Sequence, residues 1–303
     1  MINKPPPSVA ASAARSVRAT AIGFTAILMW ATLALLTTLT GRVPPFQLVA
    51  MSFTVAFALA TARWLIAGGP VMRHLRWPPA VWLLGVGGLF GYHFFYFMAL
   101  RNAPAVEASL IAYLWPLLIV VFSAALPGES LRWWHLAGAL AGLAGTALLV
   151  TGGGRVSFQT GFALGYAMAG ACALTWSAYS VLSRRFAHVP TDAVGGLCGA
   201  TAVFAALCHV AFETTSWPVG TEWLAVLGLG LGPVGAAFFT WDHGVKHGDI
   251  RILGVAAYSA PLLSTLLLVG FGRAEATWVV AIACLLIVGG AIIASKDMLR
   301  RGS

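Results

Sequence analysis

The sequence predicts an all-α membrane protein of ten transmembrane helices, arranged as two five-helix inverted-topology repeats with both termini cytoplasmic. Three observations predict this fold class: an apolar composition, an uneven distribution of basic residues and an internal repeat. Of the 303 residues, 59% are hydrophobic and only 9% are charged, whereas soluble globular chains carry roughly 25% charged residues. Such a chain lacks the polar surface needed to face water on all sides.

Ten apolar runs are long enough to cross a bilayer, which takes about 20 mostly apolar residues per helix. Charges, prolines and glycine clusters separate the runs, and the connections are too short for an extramembrane domain. The predicted spans cover residues 19–40, 45–68, 79–101, 104–126, 133–152, 160–184, 191–212, 219–243, 250–271 and 275–294. Residues 1–18 are expected to form a disordered cytoplasmic tail, and residues 297–303 a second cytoplasmic tail.

The basic residues predict the orientation of these spans. With a cytoplasmic N-terminus, 14 of the 18 Lys and Arg lie inside, and only Arg42, Arg101, Arg155 and Arg273 lie outside. This excess follows the positive-inside rule, and one missed helix would destroy it by inverting every later loop. Because the basic residues follow the ends of apolar runs and form no patch, the net charge of +9 indicates a lipid bilayer as partner and no nucleic acid.

Two parts of the sequence resemble each other at an offset of about 145 residues. The corresponding pairs share residue type or charge: Arg101 with Lys246, Tyr113 with Tyr258, Pro116 with Pro261, Trp30 with Trp176, and Glu129 with Glu275. Residues 19–152 and 160–296 therefore form two repeats of five spans. Because five is odd, the halves enter the membrane in opposite directions, as in many secondary transporters that bind substrate near the midplane.

These motifs are similar to those of the drug/metabolite transporter superfamily, EamA type. The resemblance rests on five spans per half, a Trp-Ala or Trp-Ser step in the first helix of each half, and Tyr-x-x-Pro-Leu-Leu in the fourth. It covers about residues 19–296 and implies ten helices around a central cavity that opens alternately to the two sides. We expect a multi-pass protein of the bacterial inner membrane. Both halves lie in one chain, so a monomer is sufficient, and a dimer remains open.

Glycines and prolines interrupt several spans. The stretch from Gly230 to Gly235 formally matches the dinucleotide fingerprint GxGxxG, but it lies inside an apolar run with no strand before it. We therefore predict no cofactor. Small residues and proline instead weaken a helix locally and let neighbouring helices approach. The predicted hinge residues are Gly85, Gly87, Gly88, Pro116, Gly230, Gly232, Pro233 and Pro261.

A polar group ends the eighth predicted span. His243 and His247 are spaced as two zinc ligands, but the glutamate of HExxH is absent, so we predict no metal. Asp242 and Lys246 are spaced i,i+4, which favours an ordinary ion pair on one helix. A further interpretation is a cytoplasmic gate formed by Asp242, His243 and Arg184.

Polar and aromatic side chains in mid-span are the candidate ligand contacts. An ionisable group as deep as His93 normally lies inside the bundle and is often functional. Tyrosine and tryptophan offer a flat apolar face with one polar atom, which suits an aromatic ligand. The predicted substrate-binding residues are Tyr92, His93, Tyr96, Trp115, Trp176, Tyr179, Phe238, Tyr258 and Ser259. For each of them, simple packing in the core is the alternative.

The sequence thus predicts a secondary transporter that exports small organic solutes by alternating access, with aromatic amino acids as the leading substrates. It contains no GxSxG motif and no paired buried carboxylates, so we expect no enzyme. One alternative is an exporter of other metabolites or cationic drugs with the same fold. The other is an intramembrane enzyme that uses Asp242, His243 and His247.

Overall fold

The computed structural model describes residues 9–127 and 129–296, and every regular element within them is helical. The α-helices are α1 (Val9–Ala31), α2 (Leu33–Thr38), α3 (Pro45–Ile66), α4 (Val71–Leu75), α5 (Pro79–Asn102), α6 (Ala105–Ala112), α7 (Trp115–Ser123), α8 (Trp133–Thr151), α9 (Ala163–Leu182), α10 (Ala193–Phe212), α11 (Glu222–Leu231), α12 (Ala237–His247), α13 (Ile250–Ala256), α14 (Ser259–Gly270) and α15 (Trp278–Ala294). A π-helical turn over Gly232–Ala236 joins α11 to α12, and 3-10 turns over Thr160–Phe162 and Ser183–Phe186 flank α9.

Eight helical segments are long and apolar enough to cross a membrane. They are Ala14–Thr38, Pro45–Ile66, Pro79–Asn102, Ala105–Ser123, Trp133–Thr151, Ala193–Phe212, Glu222–His247 and Ile250–Gly270. Helix α15 is apolar but shorter, and α9 is not among the eight. Helix α9 buries Ser177 and Ser180 against other helices, and a helix with neighbours inside the bundle carries polar residues that a lipid-facing helix does not.

The chain is helical earlier than the sequence predicts. Helix α1 begins at Val9, so residues 9–18 are helical where the sequence predicts a disordered tail over 1–18. The physical reason is the alanine content of this stretch, since alanine has the highest helix propensity. Residues 1–8 of that tail and the predicted tail 297–303 lie outside the described residues.

The two halves of the bundle pack through corresponding helices. Helix α3 packs on α10 and α8 packs on α15, while α1 packs on α12 and its counterpart α9 packs on α5. At the α8–α15 contact, a Cβ added to Gly138 would meet the carbonyl oxygen of Gly290, and one added to Gly145 would meet that of Ala283. Glycine therefore permits this close approach. Reciprocal contacts of this kind are what a two-fold relation between repeats produces.

Three of the membrane-length segments are broken or distorted near a proline. Helix α6 ends at Ala112, before Pro116, and α13 ends at Ala256, before Pro261. The π-helical turn contains Pro233. Proline lacks an N–H group and disfavours a helical residue before it, which explains the breaks. The predicted hinge residues Pro116, Gly232, Pro233 and Pro261 therefore lie at or next to irregular backbone.

The other predicted hinges lie in regular helix. Helix α5 runs without a break through Gly85, Gly87 and Gly88, and Gly230 lies in the last turn of α11. The absence of a Cβ at Gly85 makes room for the side chain of Leu197, and at Gly88 for the ring of Tyr179. Two of the α5 glycines thus serve close packing, whereas the π-helical turn lies in the matching span of the second half.

Candidate functional site

A cavity of about 380 Å³ lies between the two halves, where the broken helices meet. Five of the nine predicted substrate-binding residues line it: Tyr92, His93, Trp115, Trp176 and Phe238. The predicted hinge residues Pro233 and Pro261 also line it. Its size falls within the range of roughly 300–1,000 Å³ that is usual for small-molecule sites.

Four tryptophans, one each from α1, α7, α9 and α12, form the tryptophan cluster (Trp30, Trp115, Trp176 and Trp241). The ring centroids of Trp30 and Trp176 are 5.7 Å apart, and those of Trp115 and Trp176 are 6.3 Å apart with perpendicular planes. Trp30, Trp115 and Trp176 line the cavity, while Trp241 is fully buried beneath them. Edge-to-face contacts at these distances are favourable for aromatic rings. The tryptophan cluster therefore forms one wall of the cavity, called here the cavity floor.

Hydrogen bonds hold two indoles of the tryptophan cluster, those of Trp30 and Trp241, in place. The indole N–H of Trp30 donates to the carbonyl oxygen of Pro233 at 3.1 Å, inside the π-helical turn. The N–H of Trp241 donates to Ser180 Oγ at 3.1 Å. Satisfying a buried indole N–H avoids the cost of an unpaired donor, and here it also ties the floor to the irregular backbone of the second half.

His93 is held in one tautomer by its own helix. Its Nδ1 atom lies 2.7 Å from the carbonyl oxygen of Leu89. Because a carbonyl oxygen only accepts, Nδ1 must carry the proton, and Nε2 is the acceptor in the neutral ring. The imidazole stands edge-on to the rings of Phe53 and Tyr92. His93 therefore offers the cavity a hydrogen-bond acceptor of fixed orientation.

The mostly apolar lining of the cavity includes a few polar side chains but no charged ones. It includes hydroxyl groups from Tyr113, Ser264 and Thr265 together with the His93 ring, and no Asp, Glu, Lys or Arg among the described residues lines it. A few polar groups in a largely aromatic wall set the orientation of a ligand, while the wall supplies the contact area. This arrangement suits an aromatic solute without a net charge.

The other four predicted binding residues do not line the cavity. Tyr96 stacks on Tyr92, and its hydroxyl lies 3.3 Å from Ser109 Oγ. Tyr258 is fully buried and accepts a hydrogen bond from the backbone N–H of Leu117. Ser259 Oγ donates to the carbonyl oxygen of Ala256, the last residue of α13. Tyr179 lies on the far side of the tryptophan cluster, in a second and smaller pocket.

Several lining residues were missed by the sequence prediction. Trp30, Tyr113, Ser264 and Thr265 line the cavity but are absent from the predicted binding set. The repeat itself carries a signal for two of them, because Trp30 corresponds to Trp176 and Tyr113 to Tyr258. Ser264 and Thr265 follow Pro261 by one helical turn inside an apolar run, where only the packing reveals which way they face.

One end of the bundle carries the ionic cluster, defined by Glu129, Arg184, Asp249 and Arg251. Glu129 forms an ion pair with Arg184, and its other oxygen lies 3.3 Å from Arg251 Nε. Arg251 also pairs with Asp249 at 2.7 Å. The backbone N–H of Asp249 donates to Thr20 Oγ1. The cluster therefore links α1, the segment between α7 and α8, the end of α9 and the α12–α13 turn.

Asp249 caps the first turn of α13. Its carboxylate accepts hydrogen bonds from the backbone N–H groups of Arg251 and Ile252. Burial alone would raise the pKa of Asp249, but the hydrogen bonds and charge of the Arg251 guanidinium, together with the two N–H groups, outweigh burial and lower the pKa below its usual value. The ionised form is thus the one that the fold stabilises.

The predicted gate residues Asp242 and Arg184 have separate partners in the structure. Asp242 does not contact Arg184; its carboxylate pairs with Lys246 at 2.9 Å and accepts from Thr191 at 2.8 Å. The i,i+4 ion pair between Asp242 and Lys246 is thereby confirmed. The rings of His243 and His247 contact each other. No group of three potential metal ligands occurs in residues 9–127 and 129–296.

Comparisons with known proteins agree with this architecture. The model of the EamA-like transporter family matches twice, over residues 18–151 and 163–296. The chain is 60% identical over 278 residues to the aromatic amino acid exporter YddG of Ancylobacter novellus, covering 91% of this chain and 96% of that protein. It is 26% identical to the exporter of the same name from Salmonella typhimurium, covering 83% and 88% of the two chains. One solved crystal structure, 59% identical, matches with a TM-score of 0.88 and covers 93% of this chain and 98% of the other.

Proposed function

The chain belongs to the EamA-like transporter family, and from this premise we propose that it exports aromatic amino acids from the cytoplasm. As a member of this family it is a transporter and not an enzyme. The observation that carries the proposal is the cavity bounded by Trp30, Trp115 and Trp176. Relatives named aromatic amino acid exporters, one of them 60% identical over most of the chain, support the same substrate class.

The cavity chemistry fits an aromatic side chain. The tryptophans present flat faces and edges that pack against another ring, and Phe238 and Tyr92 extend this surface. His93 Nε2 is available to accept a hydrogen bond from a ligand N–H group, either an indole or an ammonium. An exporter of cationic drugs fits less well, because no carboxylate of the described residues lines the cavity.

The proposed topology has ten spans in two inverted repeats. Eight segments meet the length and hydropathy expected of a span, and we add α9, which packs inside the bundle, and the apolar helix α15. With ten spans, both termini and the ionic cluster lie on the side that carries most of the basic residues. The positive-inside rule makes this side cytoplasmic, and the membrane is then a bacterial inner membrane.

Transport proceeds by alternating access in this proposal. The ionic cluster closes the cytoplasmic end, with Arg184 as a gate residue. The cavity lining reaches Leu149 and Val150, next to the C-terminal end of α8, at the opposite end of the bundle. The conformation is therefore closed to the cytoplasm and accessible from outside. The broken helices at Pro116, Pro233 and Pro261 are the points at which the halves rock.

A transport assay with purified protein tests this function. The protein is reconstituted in liposomes loaded with unlabelled phenylalanine, and counterflow of labelled phenylalanine, tryptophan, threonine and a cationic dye is measured. We expect counterflow of phenylalanine and tryptophan, weak counterflow of threonine and none of the dye. Counterflow of the dye without that of the amino acids would contradict the proposal. Empty liposomes give the background.

A further inference from the structure

A second pocket, mostly apolar but with four polar side chains, lies across the tryptophan cluster from the cavity. Tyr179, Ser183, Asp242 and Lys246 contribute to its lining, and its volume is about 20 Å³, which is enough for one water molecule. The ring centroid of Tyr179 is 5.3 Å from that of Trp176, a residue of the cavity floor. A single layer of aromatic rings therefore separates this pocket from the cavity, on the side of the ionic cluster.

This pocket contains a buried ion pair. Asp242 and Lys246 are 3% and 8% exposed, and Lys246 Nζ lies 2.9 Å from Asp242 Oδ1. Thr191 donates to the other carboxylate oxygen, and Lys246 also donates to the carbonyl oxygen of Val189. Burying such a pair carries a large desolvation cost, so it is weak evidence for stability. A pair of charges buried within a membrane helix bundle is a candidate functional site.

The hydroxyl of Tyr179 is a third polar group in this pocket. The hydroxyl of Tyr179 is buried and makes no hydrogen bond of normal geometry with the described residues, although the Ser183 side chain lies near it. Buried hydroxyl groups are normally satisfied by protein or by an ordered water, and this one is free to take a ligand oxygen instead. Its helix packs closely here, because the ring of Tyr179 lies against Gly88 of α5.

We propose that Tyr179, Asp242 and Lys246 bind the head group of a zwitterionic α-amino acid arriving from the cytoplasm. The ligand's ammonium binds the Asp242 carboxylate, and its carboxylate binds Lys246 and the Tyr179 hydroxyl. In the present conformation the two protein charges neutralise each other and the pocket holds no more than a water. Opening of the ionic cluster widens it. The inference rests on the proposed function and adds a head-group site on the cytoplasmic side of the cavity, which still binds the aromatic ring.

The contrast with the cavity explains why a separate head-group site is needed. A zwitterion that leaves water loses the hydration of two charges, and this loss must be compensated by groups of opposite sign. The cavity lining offers no charged side chain among the described residues, whereas Asp242 and Lys246 present both signs side by side. A ligand that passes from this pocket to the neutral cavity gives up its ionic contacts, which favours release on the outer side.

Three ligands that share a phenyl ring test the proposal. Phenylalanine, 2-phenylethylamine (no carboxylate) and 3-phenylpropionate (no ammonium) compete from the cytoplasmic side with labelled phenylalanine in liposomes. The wild-type protein should prefer phenylalanine by about tenfold or more, the effect of one charged hydrogen bond. Asp242→Asn should lose its preference for phenylalanine over 3-phenylpropionate, and Lys246→Met its preference over 2-phenylethylamine.

A control variant separates head-group from ring recognition. Phe238→Leu, which alters the cavity wall, should change the preference between phenylalanine and leucine and keep the preference among the three phenyl ligands. If Asp242→Asn or Lys246→Met does not fold, Tyr179→Phe keeps the ring volume and should weaken only the two ligands that carry a carboxylate.

The outcomes distinguish this inference from the proposed function. Wild-type head-group preference in the variants, or an equal loss for all three ligands, overturns the head-group site while leaving aromatic amino acid export intact. Absence of phenylalanine counterflow in the wild-type protein overturns the proposed function and the head-group site together. Loss of the preference over 3-phenylpropionate in Asp242→Asn, together with loss of the preference over 2-phenylethylamine in Lys246→Met, supports the head-group site and the proposed function.

Discussion

The two ends of the bundle differ in charge although the repeat relates them. At one end, Glu129 lies among Arg184, Asp249 and Arg251. At the other end, the counterpart of Glu129 is Glu275, but the positions that correspond to the three partners are Thr38, Pro104 and Val106. The carboxylate is therefore repeated and its partners are not.

This difference teaches how an inverted repeat obtains a preferred conformation. Two identical halves would make the two ends equivalent, and closure of either end would have the same free energy. Ion pairs near the surface contribute about 0–1 kcal/mol each, and about 1.4 kcal/mol in total changes a two-state population tenfold. The side chains of Arg184 and Glu129 are 20% and 16% exposed. A charged cluster at one end is thus sufficient to favour the conformation closed there.

The largest expected effect concerns the tryptophan cluster of the cavity, away from the ionic cluster. Trp176→Ala removes the ring that contacts Trp30, Trp115 and Trp241, so we expect phenylalanine counterflow to fall by about tenfold or more, given the contact area that one aromatic ring supplies. Counterflow per amount of reconstituted protein is the measurement. Trp217→Ala is the matched control. Trp217 is 65% exposed, so its replacement should leave the rate of counterflow unchanged. Equal counterflow rates in Trp176→Ala and Trp217→Ala would show that the tryptophan cluster takes no part in transport.

An intermediate effect is expected at the ionic end. Arg184→Gln breaks the pair with Glu129 and the hydrogen bond to the carbonyl oxygen of Gly248, so the cytoplasmic end should open more often. The measurement is alkylation of Cys198, fully buried in the present conformation, in inside-out vesicles of a protein that keeps no other cysteine. We expect alkylation to become several-fold faster, in line with the loss of about 1 kcal/mol.

Arg63→Gln provides the control for this experiment. Arg63 pairs with Asp192 at 3.6 Å, and its side chain is 75% exposed, so the pair should contribute little. Alkylation of Cys198 should proceed at the wild-type rate in this variant. Similar acceleration in both variants would show that the ionic cluster has no special role in closure.

The smallest effect concerns pH. Because the pKa of Asp249 is lowered in the fold, its stabilisation is fully present above the unfolded value of about 3.9 and is lost as pH falls through the lower folded pKa. Asp249→Asn should therefore lower the melting temperature by a constant few degrees between roughly pH 5 and 8, with the difference shrinking below about pH 4. A difference that disappears near neutral pH would contradict this assignment.

Much of the architecture was readable from the sequence because it follows from local rules. Apolar runs and the distribution of charge depend on neighbouring residues and on the bilayer, and they predicted the helical class and the repeat. The helices break near Pro116 and Pro261, two of the prolines predicted as hinges. The predicted disordered tail is helical from Val9 onward, because its polar and basic residues concealed the helix propensity of its alanines.

The site was only partly readable. Tyr92, His93, Trp115, Trp176 and Phe238 were predicted and line the cavity. Tyr179 and Tyr258 looked equivalent to them in sequence, yet one faces a separate pocket and the other packs against Gly142. Which face of a helix turns toward the centre depends on crossing angles and on the close contacts of glycines, and one helical turn is enough to move a side chain from a cavity into a packed interface.

The sequence by itself therefore determined the all-helical, multi-span class, the repeat and the transporter family, since hydropathy and repeated motifs are properties of the chain. Only the tertiary structure decided which charges meet. Asp242 pairs with Lys246 along its own helix, while Arg184 reaches Glu129, 55 residues away in sequence. Partner choice among charges depends on distance in space and on burial, and neither is encoded in a local pattern.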